Sequence, residues 1–398
     1  MNAQAQAQSK KSKNASALSK QTVGVLLFLM ILAGLGIGIG VGWAIKSSVD
    51  ASNENLNLKK KDDTLEEELL RSEIVKPYEA PSSETYERSG LHKIERVRFP
   101  VGRYSPTVAL FSLTNDDVKV LFHPEVESCS VADTIRRAVG LVSALERVRK
   151  DFGSRVLNFP VAMGDGYFTW DELPRDVSTF SRAVGTKYNL IPNLYLLQGR
   201  CGEVIRTCDF LPKNSKALFE AKRDVVFFRG SDTGFLDLRK NTRVRTCIVG
   251  KTIPMSDIKL SEVVQFPEET RRQIVLEGIL DRRIPFGHWK HNRYILDIDG
   301  NSSSWDRAMS AFHAGSLCVR VEPRFEEHWH LRAPMKEICL TTSVSDLPST
   351  IERARANLSL SAEMASRGRA WAAEHLTDDA IFRDLADSIE TWNELFAM

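Results

Sequence analysis

Two apolar segments in the second half of the chain, each ending in a glycine followed by small polar residues, most constrain its fold. Residues 224–231 read Asp-Val-Val-Phe-Phe-Arg-Gly-Ser, and residues 294–305 read Tyr-Ile-Leu-Asp-Ile-Asp-Gly-Asn-Ser-Ser-Ser-Trp. Each pattern predicts a β-strand that passes into a helix at its glycine, where free backbone N–H groups can face an anion. Two such strand ends in one half of the chain favour a parallel sheet that binds a diphosphate-bearing ligand. The alternative is ordinary α/β packing without a ligand.

Length, charge and absent motifs exclude several classes of protein. The 398 residues suffice for two ordinary domains with additional segments. The formal net charge is +2, so composition indicates neither a nucleic-acid partner nor a strongly acidic substrate. No Gly-x-Ser-x-Gly elbow is present, and no Gly-x-Gly-x-x-Gly follows a strand, which disfavours a hydrolase and a nicotinamide-dependent enzyme.

The N-terminal region predicts a membrane anchor. Residues 23–45 contain no charged residue and are long enough to cross a bilayer as a helix. Four lysines precede this segment and Lys46 stands alone after it, so the positive-inside rule keeps the short tail cytoplasmic. We expect a cytoplasmic tail at 1–21, a signal anchor at 22–45 and a polar stem at 46–95; a cleaved secretory signal is the alternative. Alternating glycines in the span permit a homodimer, and a monomeric anchor is the competing interpretation.

All six cysteines follow the predicted anchor, where disulfides persist in an oxidising compartment. Cys201 and Cys208 flank a short polar segment and are the best candidates for a local bridge. Cys318 lies in an apolar segment and is expected to be a buried free thiol. No cysteine spacing resembles a zinc site.

Apolar periodicity divides the remainder into two α/β halves. In the first half, residues 96–222, a strand at 118–122, a helix after Ser130 and a strand at 156–162 predict a parallel strand–helix–strand unit. The second half, residues 223–375, repeats this order. We expect two Rossmann-like domains that face a cleft.

Helices and strands of the second half follow from the same periodicity. Strands are expected at 224–228, 294–298 and 317–321, and helices near 236–247, 267–281 and 304–314, the last ending at Gly315. An apolar stripe in residues 376–398 predicts a final helix that begins at Thr377 and docks on another element.

Arg229 follows an apolar strand, so we expect it at the carboxyl edge of the sheet, where α/β folds bind ligands. A guanidinium there can grip phosphates in a bidentate manner, and Ser231 and Thr233 add hydroxyl groups. The alternative is a surface arginine on a turn.

Three acidic residues are candidates for chemistry. Asp297 and Asp299 lie on one face of a strand and either hold a nucleotide diphosphate through Mn²⁺ or Mg²⁺ or cap neighbouring helices. Asp165, between two glycines after a strand of the first half, can deprotonate an acceptor hydroxyl, although an Asp-Gly turn often has no chemical role.

Two clusters, residues 288–291 and 328–330, bring His and Trp side chains near the strand ends, where tryptophan stacks on sugars or fills interfaces.

These residues as a set resemble a known family. Phe228-Arg-Gly-Ser231, Arg293-Tyr294 and Asp299-Gly-Asn-Ser-Ser-Ser-Trp305 are similar to motifs of the protein O-glucosyltransferase and capsule-associated glycosyltransferase family. Residues 314–320 and 364–371 resemble its Gly-Ser-x-Val strand and its closing helix. The resemblance extends over about residues 95–395 and is strongest from 224 to 375.

The resemblance implies a GT-B fold, a UDP-glucose or UDP-xylose donor on the second half, and inverting transfer without a metal cofactor. It implies that Asp165 is the catalytic base and that Asp297 is structural. Asp306 takes the place of the family's arginine and Arg307 follows it, while Asp165 lacks the flanking Arg-Asp-x-Pro pattern. Together with the candidates above, the predicted donor-binding residues are Arg229, Gly230, Ser231, Thr233, Arg239, Gly300, Asn301, Ser302, Ser303, Ser304, Trp305 and Arg307.

The sequence therefore predicts a single-pass type II membrane protein of the Golgi or ER with a lumenal catalytic part. It would transfer glucose or xylose from a UDP-sugar to a hydroxyl of a protein or glycan, with no nucleic-acid partner. The alternatives are a metal-dependent Asp-x-Asp transferase and a catalytically degenerate glycan-binding scaffold.

Overall fold

The computed structural model describes residue 105 and residues 107–122, 131–165, 172–212 and 215–396. The predicted tail, anchor and stem lie outside the described residues. Within the described ranges, none of the helices combines the length and hydropathy that crossing a bilayer requires.

Short strands and longer helices alternate along the described chain. The strands are β1 (Val108–Leu113), β2 (Val118–Phe122), β3 (Leu157–Ala162), β4 (Arg182–Ala183), β5 (Arg223–Ser231), β6 (Ser256–Glu262), β7 (Asn292–Ile298), β8 (Leu317–Val321), β9 (Phe325–Glu326) and β10 (Cys339–Thr342). The helices are α1 (Val131–Val148), α2 (Leu194–Leu197), α3 (Arg200–Cys208), α4 (Ser215–Ala221), α5 (Thr242–Gly250), α6 (Glu268–Leu276), α7 (Phe286–Trp289), α8 (Arg307–His313), α9 (Met335–Ile338), α10 (Leu347–Ala356), α11 (Leu358–His375) and α12 (Asp378–Phe396). Two 3₁₀ turns cover Arg149–Phe152 and His328–Leu331.

The second half is built on a five-stranded sheet in the order β10-β8-β7-β5-β6, and every neighbouring pair is parallel. This confirms the prediction of an α/β parallel sheet. All residues of β8 are buried, as expected of a central parallel strand; its one charged residue, Arg320, pairs with Asp297 of β7. Because β5 and β7 are neighbours, their carboxyl ends meet at one edge. We expected Gly230 in a turn after the strand. Instead, β5 extends through Gly230 to Ser231, so this glycine lies within the strand.

The first half has a different sheet from the one predicted. β1 lies between β2 and β3 and is antiparallel to both, so the described strands of this half do not form a Rossmann-like parallel sheet. The predicted strand–helix–strand unit is present as β2, α1 and β3, whose strands run in the same direction. They are not neighbours, because β1 occupies the position between them. Local periodicity identified the two strands but carried no information on their pairing.

Helix ends in the second half have identifiable causes. α8 begins at Arg307 and not at residue 304, since Trp305 has a φ of 63° that helical backbone does not allow. Gly315, with a φ of 66°, follows α8 as predicted. α5 begins at Thr242, later than expected, where the Asn241 side chain accepts a hydrogen bond from the Val244 amide.

The final helix returns to the first half. The Thr377 hydroxyl accepts from the Ala380 amide at 3.2 Å, which confirms the predicted start of α12. The Trp392 ring packs against Phe159 of β3 with centroids 5.9 Å apart, and Arg155 pairs with Glu390 at 2.6 Å. The apolar stripe of α12 therefore covers the first half.

The described cysteines are free and buried. The predicted Cys201–Cys208 bridge is wrong, because both residues lie on α3 about two turns apart, roughly 10 Å along the axis, which is too far for a disulfide. The prediction of a buried free thiol at Cys318 is confirmed.

Candidate functional site

Arg243 of α5 joins the carboxyl ends of β5 and β7. Its Nε donates to the carbonyl oxygens of Ile298 and Asp299, both at 3.2 Å, and Nη1 donates to the Ser231 carbonyl at 3.1 Å and to Thr233 Oγ1 at 2.6 Å. Burial, followed by the nearby Arg307 charge, lowers the pKa of Arg243 to about 10. No sequence pattern marks Arg243, because its partners Ser231 and Ile298 are distant from it along the chain.

Gly300 lies where β7 meets this arginine. A Cβ at this position would be 2.5 Å from Thr233 Oγ1 and 2.9 Å from Arg243 Nη2. The glycine is therefore required by the close approach of these side chains. On its far side, the Asn301 Oδ1 accepts from the Gly234 amide at 2.9 Å, which joins the two strand-end loops.

The three serines of the predicted donor turn direct their hydroxyl groups inward. Ser302 Oγ donates to the Ser303 carbonyl at 3.3 Å, Ser303 Oγ hydrogen-bonds Glu327, and Ser304 Oγ hydrogen-bonds Asp297. No described residue accepts a hydrogen bond from the amides of residues 301–304. Unengaged amides in a largely buried turn are donors that a bound anion would satisfy.

Arg307, at the start of α8, lies beside this turn. Its Cζ is 4.8 Å from the centre of the Phe228 ring, and its Nη2 is 3.5 Å from where a Cβ on Gly230 would lie. Burial lowers its pKa, although Asp306 and Asp297 oppose the shift. Among the described residues, none forms a hydrogen bond or an ion pair with its guanidinium. The strand end therefore holds a cation without a bonded counter-charge.

Two other predicted arginines lie apart from Arg307. Arg229 Nη2 pairs with Asp257 at 2.7 Å and with Asp281 at 2.8 Å, and its Nη1 donates to the Asp257 carbonyl at 3.1 Å. Its guanidinium is therefore engaged within the protein. Arg239 is exposed on the loop between β5 and α5.

The two candidate metal-binding carboxylates accept hydrogen bonds from the protein itself. Asp297 pairs with Arg320 at 3.1 Å and also hydrogen-bonds Ser304. Asp299 Oδ2 accepts from the amides of Arg324 at 2.6 Å and Phe325 at 3.0 Å. Burial and the Asp297 charge raise the pKa of Asp299 to about 6. The described residues contain no group of three or more His, Cys, Asp or Glu side chains suited to a metal ion.

Asp165 lies three residues after the end of β3, in the first half of the chain. Arg137 of α1 pairs with its Oδ1 and also donates to the Met163 carbonyl at 2.6 Å. The same guanidinium is 6.0 Å from the centre of the Trp305 ring, and the Tyr195 ring lies 6.1 Å from Trp305. Arg137 thus brings the candidate base close to Trp305, at the end of the candidate donor turn.

The predicted His and Trp clusters serve packing. Trp289 is buried with its ring 4.6 Å from that of Phe286. His328 Nε2 lies 2.8 Å from Asp384 Oδ2, and His330 Nδ1 accepts from the Glu327 amide at 2.8 Å. These clusters therefore connect elements within the fold.

No protein-family model matches the chain, and no curated protein matches it. Solved structures similar to it include HepE from Anabaena in complex with UDP-glucose, at 15% identity over 45% of this chain and 53% of that chain, with a TM-score of 0.31. Sucrose-phosphate synthase from Thermosynechococcus elongatus is similar at 13% identity over 48% of this chain and 51% of its own, with a TM-score of 0.31. A glycosyltransferase from Rickettsia africae ESF-5 is similar at 11% identity over 49% and 55%, with a TM-score of 0.32. The chain spans about half the length of each, and likeness at this level assigns neither activity nor substrate.

Proposed function

We propose that this protein is an inverting glycosyltransferase of GT-B type that moves glucose or xylose from a UDP-sugar to a hydroxyl of a protein or glycan. The observation that carries the proposal is the unpaired Arg307 guanidinium beside the unengaged amides of residues 301–304. Both lie where the neighbouring strands β5 and β7 end, which is where parallel α/β sheets bind phosphate-bearing ligands.

A diphosphate suits this edge of the sheet on electrostatic grounds. A half-buried cation without a bonded counter-charge raises the free energy of the empty site, and an anionic ligand relieves it. Guanidinium–phosphate hydrogen bonds are short and strong, and backbone N–H groups add donors without a desolvated positive charge. Arg243 contributes further positive potential from beneath the turn.

The acceptor would enter from the side of Asp165. Its carboxylate, held by Arg137, is positioned to take the proton of a hydroxyl that attacks the sugar carbon from the face opposite UDP. The departing diphosphate would then be stabilised by Arg307 and the turn amides, which donate to charge as it develops. In this scheme the acceptor oxygen bonds to the sugar carbon, the bond from that carbon to UDP breaks, and Asp165 keeps the acceptor proton.

The predicted membrane anchor, lumenal orientation and homodimer stay part of the proposal. The anchor and its orientation rest on the uncharged segment 23–45 and its flanking lysines, and the homodimer rests on the alternating glycines within that segment.

The proposal is tested by calorimetric titration of the chain with UDP, using Arg307→Met against the wild type. Loss of a charge-assisted contact should weaken UDP binding about 10- to 100-fold. The unfolding temperature should stay the same or rise, because the variant removes a half-buried cation that lacks a bonded partner. Arg272→Met, an exposed change on α6, is the matched control. Equal UDP affinity in wild type and Arg307→Met, or no UDP binding by the wild type, would overturn the proposal.

A further inference from the structure

Glu327 is a buried carboxyl that the proposed reaction does not use directly. It precedes the 3₁₀ turn His328–Leu331 and is 1% exposed. Its Oε1 hydrogen-bonds Ser303 Oγ, while Oε2 accepts from Asn193 Nδ2 and from Trp329 Nε1 at 3.3 Å. Among the described residues, no basic side chain pairs with it.

These contacts form part of a closed ring of hydrogen bonds around Trp305. Ser303 Oγ accepts from the Trp305 amide at 3.4 Å, and Asn193 Nδ2, which bonds Glu327, also donates to the Trp305 carbonyl at 3.3 Å. Both backbone polar groups of Trp305 are therefore held by partners of one carboxyl group. Trp305 has a φ of 63°, a left-handed conformation that an aromatic residue adopts only when its surroundings impose it.

We propose that Glu327 is a positioning residue: through Ser303 and Asn193 it holds Trp305 in its left-handed conformation and so directs the amides of residues 301–304 toward the bound anion. Asn193 caps α2 through Oδ1, which accepts from the Leu196 amide at 3.1 Å. The ring thus joins the first half of the protein to the donor turn. The identification of the anion as a UDP-sugar diphosphate rests on the proposed function above.

The surroundings of Glu327 favour its neutral form. Burial raises the pKa of Glu327 to about 8, while the hydrogen bonds with Ser303 and Asn193 oppose the rise. Asp297 of β7 is the charged group that raises it further. The donor turn and α2 present uncharged side chains, and burial holds the pKa of His330, on the adjacent 3₁₀ turn, well below its usual value. Ionisation would strengthen the hydrogen bonds that Glu327 accepts, but it would also leave a buried charge that Asp297 repels. Because the pKa of Glu327 is raised overall, burial and repulsion outweigh these hydrogen bonds, so the ionised side chain favours hydrated positions and the ring should loosen as the pH rises above about 8.

The test is calorimetric titration with UDP at pH 7 and pH 9 on the wild type, Glu327→Gln and Glu327→Ala. If the neutral ring is the binding-competent form, wild-type affinity should fall about tenfold between the two pH values, because about one molecule in ten keeps the proton at pH 9. Glu327→Gln retains an amide that can bond the same partners and cannot ionise, so its affinity should change only as UDP itself titrates. Glu327→Ala leaves buried donors unpaired and should bind about tenfold more weakly or worse at both pH values.

Glu326→Gln is the matched control, because Glu326 is adjacent, half-buried and paired with Arg182 at 2.8 Å. It should follow the wild type at both pH values. Identical pH dependence in wild type and Glu327→Gln overturns the inference, as does a Glu327→Ala variant that binds within twofold of the wild type.

If the wild type binds no UDP, the proposed function fails and the same variants are titrated with inorganic pyrophosphate. The Glu327 inference then stands on the same pH pattern for that anion, and absence of pyrophosphate binding ends it.

Discussion

Gly300 shows how one missing side chain permits the arrangement at the strand ends. Arg243 donates to carbonyl groups of both β5 and β7, so its guanidinium is fixed and cannot retreat from a neighbouring Cβ. A Cβ on Gly300, just after β7, would lie only 2.9 Å from Arg243 Nη2, so only glycine fits beside this fixed group. Overpacking at such a position forces backbone or side-chain shifts that destabilise a fold by about 1–3 kcal/mol. The site therefore depends on a glycine for space, beneath a turn whose amides stay unengaged.

The candidate base gives a prediction at the same scale. Asp165→Asn keeps the shape of the side chain but cannot accept the acceptor proton, so turnover should fall about 10²- to 10⁴-fold. UDP affinity should stay at the wild-type value, since Asp165 pairs with Arg137 and, among the described residues, bonds none of the donor turn. Steady-state transfer kinetics and calorimetry measure the two quantities, and Asp151→Asn, an exposed change in the same half, serves as control. Unchanged turnover in Asp165→Asn would remove Asp165 from the mechanism.

Sequence patterns identified the residues that lie next to each other along the chain and missed those that converge from afar. Ser302, Ser303 and Arg307 follow one strand, so a strand-end motif marks them together. Arg243 and Glu327 act on the same turn from α5 and from the segment after β9. No local periodicity connects either of them with residues 300–305, and only the folded backbone brings them there.

At the scale of elements, α12 is fixed to the second half by one buried charge. Asp384 accepts from His328 Nε2 at 2.8 Å and hydrogen-bonds Arg332, so α12 and the 3₁₀ turn are joined. Burial opposes ionisation of Asp384, but these two hydrogen bonds prevail and lower its pKa. Its contribution to stability is therefore present above the pKa of an unfolded aspartate and is lost as the pH falls through the lower folded value.

Asp384→Ala leaves a buried imidazole and an arginine without their acceptor. The free energy of unfolding should fall by about 2–4 kcal/mol, near the lower end for a buried pair because Arg332 is partly exposed. Asp387→Ala, an exposed change on the same helix, should alter it by no more than about 0.5 kcal/mol. Urea unfolding at pH 7 measures both. Equal stability of the two variants would show that the Asp384 contacts contribute nothing to the docking of α12.

The strands show why element type is easier to predict than pairing. β8 coincides with its predicted range, and the start of α12 follows its capping residue. The first-half sheet differs because β1, whose neighbours in the sheet follow it along the chain, inserts between β2 and β3. Side-chain periodicity reports burial of a segment, whereas the order of strands depends on which loops can close.

Across the whole molecule, buried titratable groups act on stability in opposite directions. Burial lowers the pKa of His313 to about 4, so this residue favours the folded state more as the pH rises toward 6.5. The lowered pKa of His291 acts in the same direction but more weakly, because this side chain is exposed and solvent screens it. Burial raises the pKa of Glu327 to about 8 and, with the Asp297 charge, that of Asp299 to about 6, so these carboxyls favour the folded state less as the pH rises. The opposing slopes overlap between about pH 4 and pH 6.5, and the net profile there should be shallow.

Above about pH 8, where Glu327 no longer opposes it, Lys222 should dominate, at the opposite end of the sheet from the candidate site. It precedes β5, is 6% exposed, and hydrogen-bonds the Lys290 carbonyl. Burial lowers its pKa to about 7, against 10.5 for the ordinary side chain, so between these values the unfolded chain binds one more proton than the folded chain. Stability from this group therefore rises with pH, by about 2 kcal/mol from pH 7 to pH 9. Lys222→Met should lack the rise in urea unfolding, while the exposed change Lys240→Met should keep it. The Glu327 contribution is common to all three proteins, so it cancels when their free energies of unfolding are subtracted. If the difference in unfolding free energy between wild type and Lys222→Met is constant from pH 7 to pH 9, Lys222 keeps its proton in the folded protein.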